Sequence, residues 1–314
     1  MPTARPTIDD VRAAMARIAP HVHRTPVVTC GAIDRAAGCE VFLKCENFQK
    51  VGAFKARGAC NAVLSLDEAV AGRGVVTHSS GNHAQALAWA ASLRGIPAHI
   101  VMPTNAPPIK RRAVEGYGGT IYECEPTVKD REHTAARVAN ETGATLIPPY
   151  DDAVIIAGQG TCALELLGQV PDLDAIIVPV GGGGILAGTA ITTNSLSPNT
   201  TVFAAEPANA DDAYRSKASG MIEPMKNPNT IADGLRTTLG NLTFPVLQEL
   251  VEAVLLVSEE EITDAMRLIM ERAKIVVEPS GAVGIAAACT AAFANENYKR
   301  VGVIVTGGNV DLPL

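Results

Sequence analysis

The chain has no pair of cysteines at C-x-x-C spacing, and its seven cysteines are an odd number scattered from Cys30 to Cys289. That usage argues against a disulfide framework and against a zinc site, and a reducing cytoplasm is the expected home. Positive charge is also short: 26 Lys and Arg stand against 33 Asp and Glu, a net charge of -7. With no basic cluster to meet a phosphate backbone, no nucleic-acid partner is expected. No stretch approaches a charge-free membrane span, and the opening MPTARPTIDD lacks the apolar core of a signal peptide. Neither membrane nor secretion is therefore expected. Internal repeats, low-complexity tracts and flexible linkers are missing too. What the chain does have is 47% hydrophobic residues over 314 positions, enough for two domains or one large α/β domain.

Patterning predicts strands and helices in alternation. Thr7 and Asp10 have the spacing of a capping box, with Asp for the usual Glu, and predict a helix to Ile18 that Pro20 stops. Strands are predicted at 41–44, 74–78, 99–102 and 120–123, and helices at 56–66, 82–93, 109–117 and 131–142. Beyond Pro148-Pro149, a plausible crossing between domains, come a helix after Gly160 and strands at 175–180, 201–205 and 253–257. Ser258 and Glu261 then form a capping box for a helix to Ala273, followed by an alanine-rich helix at 284–294 and a strand at 301–305. Such alternation is the pattern of parallel sheets wrapped by helices.

Several stretches carry chemistry. In ENFQKVGAFKARG (46–58), Lys55 lies between Phe54 and Ala56, after a glycine that lets the chain turn. In a partly dry pocket its amine can lose its proton and attack a carbonyl; the alternative is a solvated lysine at a helix start. The run Gly181, Gly182, Gly183, Gly184 follows an apolar strand and precedes a helix-like segment, so backbone N–H groups can converge on an anion. An ordinary tight turn is the alternative. A dinucleotide loop fits less well, because the spacing is not G-x-G-x-x-G. SSGNH (79–83) lies between a strand and a helix, where Ser79 or Ser80 could simply be an N-cap and His83 a core histidine. Arg131 begins a predicted helix, against the dipole, which hints at an anionic partner or else a surface arginine. EPANADD (206–212) offers two carboxylates and a carbonyl to a hard cation, or only solvated charges. TGGNVD (306–311) closes the series.

Taken together, in order and at this spacing, these motifs resemble fold-type II pyridoxal-phosphate (PLP) enzymes, specifically the serine racemase and threonine dehydratase family, from Arg24-Thr25-Pro26 to Asp311. The resemblance implies an α/β fold of the tryptophan synthase β type, with two domains that each hold a mostly parallel sheet flanked by helices. A large domain would comprise residues 1–68 and 151–314, and a small mobile domain residues 69–150. It implies that Lys55 carries PLP, next to Phe54, that Gly181 to Gly184 grip the phosphate, and that Asn82 meets the phenolic oxygen. Thr306 would face the pyridine nitrogen; a hydroxyl there leaves the ring a weaker electron sink, which suits elimination. Ser79, Ser80, Gly81, Asn82 and His83 would receive the substrate, with Tyr150 and Thr238 lining the pocket.

Ser80 would face Lys55 across the α-carbon, as in serine racemases, where threonine dehydratases carry alanine. Arg131 would reach a second carboxylate on dicarboxylic substrates. Glu206, Ala210 and Asp212 would bind a divalent cation such as Mg2+, Mn2+ or Ca2+. Lys50, Gln85 and Asn309 match parts of a nucleotide site at a dimer interface, so a homodimer with a nucleotide effector is implied. The implied activity is dehydration of small β-hydroxy amino acids with serine racemisation, or else 3-hydroxyaspartate ammonia-lyase activity. The end of the sequence shortly after Asp311 carries the expectation that no regulatory domain follows.

Overall fold

The computed structural model describes residues 4–106 and 108–311. The chain opens with helix α1 (Ile8–Ile18), where Thr7 and Asp10 do form the reciprocal capping box. Strand β1 (Val27–Thr29), helix α2 (Gly31–Ala37) and strand β2 (Glu40–Cys45) lead to α3 (Lys55–Leu64) and the single turn α4 (Glu68–Ala71). Next come β3 (Val75–His78), α5 (Asn82–Arg94), β4 (Ala98–Pro103), α6 (Pro108–Gly116), β5 (Thr120–Cys124), α7 (Val128–Thr142) and β6 (Thr145–Leu146). The remainder runs α8 (Ala153–Gln169), β7 (Ala175–Pro179), α9 (Gly184–Leu196), β8 (Thr201–Pro207), α10 (Asp212–Ser219), α11 (Thr243–Leu250), β9 (Val254–Val257) and α12 (Glu259–Leu268). It ends with α13 (Pro279–Ala288), α14 (Ala291–Ala294) and β10 (Arg300–Val305).

Two sheets result. One has six strands in the order β1-β2-β10-β7-β8-β9, parallel except for the edge strand β1; the other has four parallel strands in the order β5-β4-β3-β6. The first strands and the last belong to the larger sheet, while the chain between them builds the smaller. Parallel strands need crossover helices, which cover both faces, so β7 and β10 are buried almost end to end. The segments that leave the C-terminal ends of β2, β3, β7, β8 and β10 carry most of the candidate residues, Lys55, the serine loop, the glycine run, Ala210 and Thr306 among them, at the sheet ends where ligands bind in such folds, while Arg131 follows β5 and Tyr150 follows β6.

Several elements differ from the patterning. Helix α8 begins at Ala153, not after Gly160, because Asp152 caps it by accepting from the N–H groups of Val154 and Ile155 at 2.8 and 3.0 Å. Its glycines are contact points rather than breaks: a Cβ on Gly158 would meet the Gly58 Cα at 2.7 Å, and one on Gly160 the Gly188 carbonyl at 3.0 Å. Helix α7 starts three residues before Arg131, since Thr127 Oγ1 accepts from the Asp130 N–H at 3.1 Å. Helix α13 starts at Pro279 and stops at Cys289, after which Thr290 caps α14.

Beneath the lysine-bearing turn lies a fully paired charge cluster. Arg57 bonds Glu46 (Nε–Oε2, 2.7 Å) and Glu165 (Nη1–Oε1, 2.9 Å), Lys44 bonds Glu165 at 2.6 Å, and the Thr25 hydroxyl donates to Glu46 at 2.6 Å. All five residues are buried. Removing one partner from such a cluster strands a charge and typically costs about 3–5 kcal/mol, so it locks α3 to β2 and α8. All seven cysteines are free thiols. No helix among the described residues is long and apolar enough to cross a membrane.

Candidate active site

Lys55 is the first residue of α3, and the chain before it is fixed to the end of β10. Ala53 bridges Gly307, and the Phe54 N–H donates to the Thr306 carbonyl at 3.0 Å. Only Val51 (φ 54°) and Gly52 (φ 70°) take left-handed backbone to make this turn. The Lys55 side chain reaches across to donate to the Pro149 carbonyl at 2.7 Å, with Nζ 5.1 Å from the centre of the Phe54 ring. Burial pushes its amine down to about 8.

The residue after Pro149 roofs the glycine run. A Cβ on Gly182 would lie 2.4 Å from the Tyr150 ring and one on Gly184 3.0 Å from the Tyr150 Cβ. Gly183, at φ 87°, has no room either, with Leu239 and Thr243 each 2.9 Å from where its Cβ would stand. Because Gly183 caps the 13-residue α9 with no side-chain partner, the first-turn N–H groups of that helix have no capping side chain, and only glycine fits where Tyr150, Leu239 and Thr243 pack against the run. The cradle suits a phosphate. Thr237 Oγ1 is 3.0 Å from the position of a Gly181 Cβ, whereas Thr238 turns its hydroxyl away to accept from the Met225 N–H at 2.9 Å.

The serine loop leaves β3 toward α5. Neither serine is the N-cap: Gly81 holds that position without a side-chain bond, and Ser79 Oγ instead accepts from the Gly81 N–H at 3.3 Å. The first-turn donors of α5 are thus left for an anion. Asn82 is held at both ends of its amide, donating to Glu278 at 2.8 Å and accepting from the Asn309 amide at 2.9 Å. Glu278 also accepts from the Asn309 N–H at 3.2 Å, and burial pushes its carboxyl up to about 7. His83 is a buried histidine whose Nε2 lies 3.2 Å from the Ile147 carbonyl; burial drives it down to about 3, so it is neutral and Nε2 is the donor. Arg131, in the first turn of α7, lies close enough to His78, just ahead of the serines, to help lower the pKa of that histidine after desolvation.

At the end of β8, Glu206 and Asp212 are fully buried and Ala210 nearly so. Glu206 accepts from the Ala213 and Tyr214 N–H groups, each at 2.9 Å, while neither oxygen of Asp212 has a hydrogen-bond partner of normal geometry. Burial pushes their carboxyls up to about 8 and about 7. The described residues hold no group of three or more His, Cys, Asp and Glu side chains arranged for a metal. Two carboxylates and a carbonyl would need water to complete a hard-cation shell.

Pro149, Thr237 and Glu278 do not stand out in the motifs. Glu278 had a signal: it is the one charge between Lys274 and Glu296. A lone acid in so apolar a stretch is buried and must be held by something.

Comparison with known proteins gives the family. Residues 18–307 match the family model described as pyridoxal-phosphate dependent enzyme. The chain is 51% identical to a serine racemase of Dictyostelium discoideum, over 99% of this chain and 97% of that one. It is 52% identical to a beta-hydroxyaspartate dehydratase of Paracoccus denitrificans, over 98% and 97%. The solved structure of maize serine racemase superposes with a TM-score of 0.96 at 51% identity, covering 98% of this chain and 94% of that one. The chain therefore belongs to the pyridoxal-phosphate dependent enzymes, with the two-sheet α/β architecture of fold type II.

Proposed function

We propose that the chain eliminates water from small β-hydroxy amino acids such as serine and threonine, giving a keto acid and ammonia, and also racemises serine. The observation that carries this reading is the Lys55 amine, brought down to about 8 by burial and held at the head of α3 beside Tyr150, which roofs the glycine cradle. Pyridoxal phosphate, when bound, supplies an electron sink for the charge left as the α-proton departs. Lys55 would hold it through Nζ, Gly181 to Gly184 would grip its phosphate, and Phe54, Asn82 and Thr306 would flank its ring.

The chain's own groups then have distinct tasks. The free N–H groups at the start of α5, with Ser79, Gly81 and His83, receive the substrate carboxylate. Lys55 Nζ takes the α-proton on one face. Ser80 Oγ returns a proton on the other face when racemisation wins over loss of the β-hydroxyl. Tyr150 and Thr237 line the pocket; Thr238, its hydroxyl already engaged, supports the loop. Residues 69–150, which contain the four-stranded sheet, act as a small mobile domain over residues 1–68 and 151–314. Glu206, Ala210 and Asp212 take a divalent cation, which the unpartnered Asp212 oxygens favour. The working form is a cytoplasmic homodimer, with a nucleotide effector near Lys50, Gln85 and Asn309.

A second reading, 3-hydroxyaspartate ammonia-lyase giving oxaloacetate and ammonia, with Arg131 in the first turn of α7 taking the second carboxylate, is favoured by the likeness to the beta-hydroxyaspartate dehydratase. Steady-state rates on L-serine, D-serine, L-threonine and the 3-hydroxyaspartate isomers, with chiral analysis of recovered serine, test both. Keto acid and the opposite serine enantiomer at comparable rates are expected. Preference for hydroxyaspartate by orders of magnitude would overturn the serine reading.

A further inference from the structure

Among the described ion pairs, one joins the strands 75–146 unit to the chain beyond Tyr150. Lys110, in α6, donates from Nζ to Oδ2 of Asp233 at 2.5 Å. Asp233 opens a short 3-10 turn, Asp233–Leu235, in which the Gly234 N–H donates to Ser280 Oγ at 3.0 Å. That turn also walls the phosphate cradle: a Cβ on Gly181 would stand 3.0 Å from the Leu235 Cα and 3.2 Å from the Gly234 carbonyl oxygen. The pair therefore ties α6 directly to the backbone that backs the glycine run. Glu278, which holds Asn82 in the serine loop, senses both partners, Asp233 raising its pKa and Lys110 lowering it. Lys110 is 18% exposed and Asp233 48%, so solvent reaches the pair from one side and it can open and reform.

We propose that Lys110 and Asp233 are positioning residues, their ion pair latching the serine-loop unit onto the wall of the glycine loop and so holding the substrate between them. This rests on the function proposed above. The latch acts on capture and retention of the amino acid, and touches no reacting atom. Losing it loosens the serine loop over Lys55 and leaves the proton-transfer groups intact.

The test compares full-length, cofactor-loaded Lys110→Met, Asp233→Asn and the charge-swapped Lys110→Asp/Asp233→Lys with the natural chain on L-serine. Each single change raises KM roughly three- to fivefold with kcat within about twofold, the scale of a partly exposed ion pair. Added NaCl raises KM in the natural chain and leaves the single variants unmoved. The swapped pair recovers most of the loss. A second readout needs no turnover: in cofactor-free protein, amide hydrogen exchange at 79–83 and across α6 quickens in the single variants and returns toward normal in the swap. Natural KM and exchange in both single variants, or a KM defect that the swap leaves untouched, would overturn the latch. If the natural chain itself releases no keto acid, the proposed function fails, and the exchange comparison alone decides whether the latch exists.

Discussion

A lysine amine in water is protonated at neutral pH and is neither nucleophile nor base; at the head of α3, burial brings Lys55 down to about 8. The sign gives a prediction for cofactor-free protein. Below pH 8 the amine is mostly charged, so the rate of pyridoxal phosphate capture, followed by absorbance, should rise with pH, nearly tenfold per unit at first, and level off above about 8. A rate flat from pH 6 to 9 would show that the amine is already neutral. Ser80 makes a second residue-scale prediction. Ser80→Ala should lower serine racemisation roughly a hundredfold or more, the usual scale of a positioned proton donor, while elimination from L-serine falls less than about tenfold. Equal losses would remove Ser80 from the opposite face. At this scale the sequence was most informative, because Lys55, the glycines and SSGNH are chemically unusual in their own runs. Glu278 was harder to see, since its partners Asn82 and Asn309 lie 196 and 31 positions away.

The glycine run shows how an element restricts what its residues can be. Gly183 combines φ 87° with contacts of 2.9 Å to Leu239 and Thr243 at the missing Cβ. Gly183→Ala should cost about 1–3 kcal/mol of stability from the left-handed backbone alone, and cofactor should dialyse away faster. Unchanged thermal unfolding together with normal cofactor retention would contradict the cradle. Long elements could be read from the chain because capping and periodicity agree: Thr7 with Asp10, and Ser258 with Glu261, both close their boxes. Strands β1 and β6, three and two residues long, are too short to show a period, and they exist only because a neighbouring strand accepts them. The start of α8 is hidden by its glycines, because Gly158 and Gly160 serve close packing inside a helix that Asp152 starts.

At the scale of the molecule, the chain enters the six-stranded sheet, leaves it to build the four-stranded one, and returns. Alternation alone predicts parallel sheets; the interleaving of two came from family resemblance, because strand order depends on pairings that local pattern does not encode. The acidic loop offers a molecule-wide prediction. Mg2+ at a hundredfold excess over its Kd should add about 2.7 kcal/mol to unfolding stability in the natural chain and nothing in Asp212→Asn. A rise in both would move the cation elsewhere.

The proposed chemistry depends on Lys55 as its one covalent attachment point. The direct measurement is mass spectrometry of peptides from purified, cofactor-supplied protein after borohydride reduction. A phosphopyridoxyl group is expected on the peptide that contains Lys55; no adduct, or an adduct on another lysine such as Lys50, would contradict Lys55 as the attachment point.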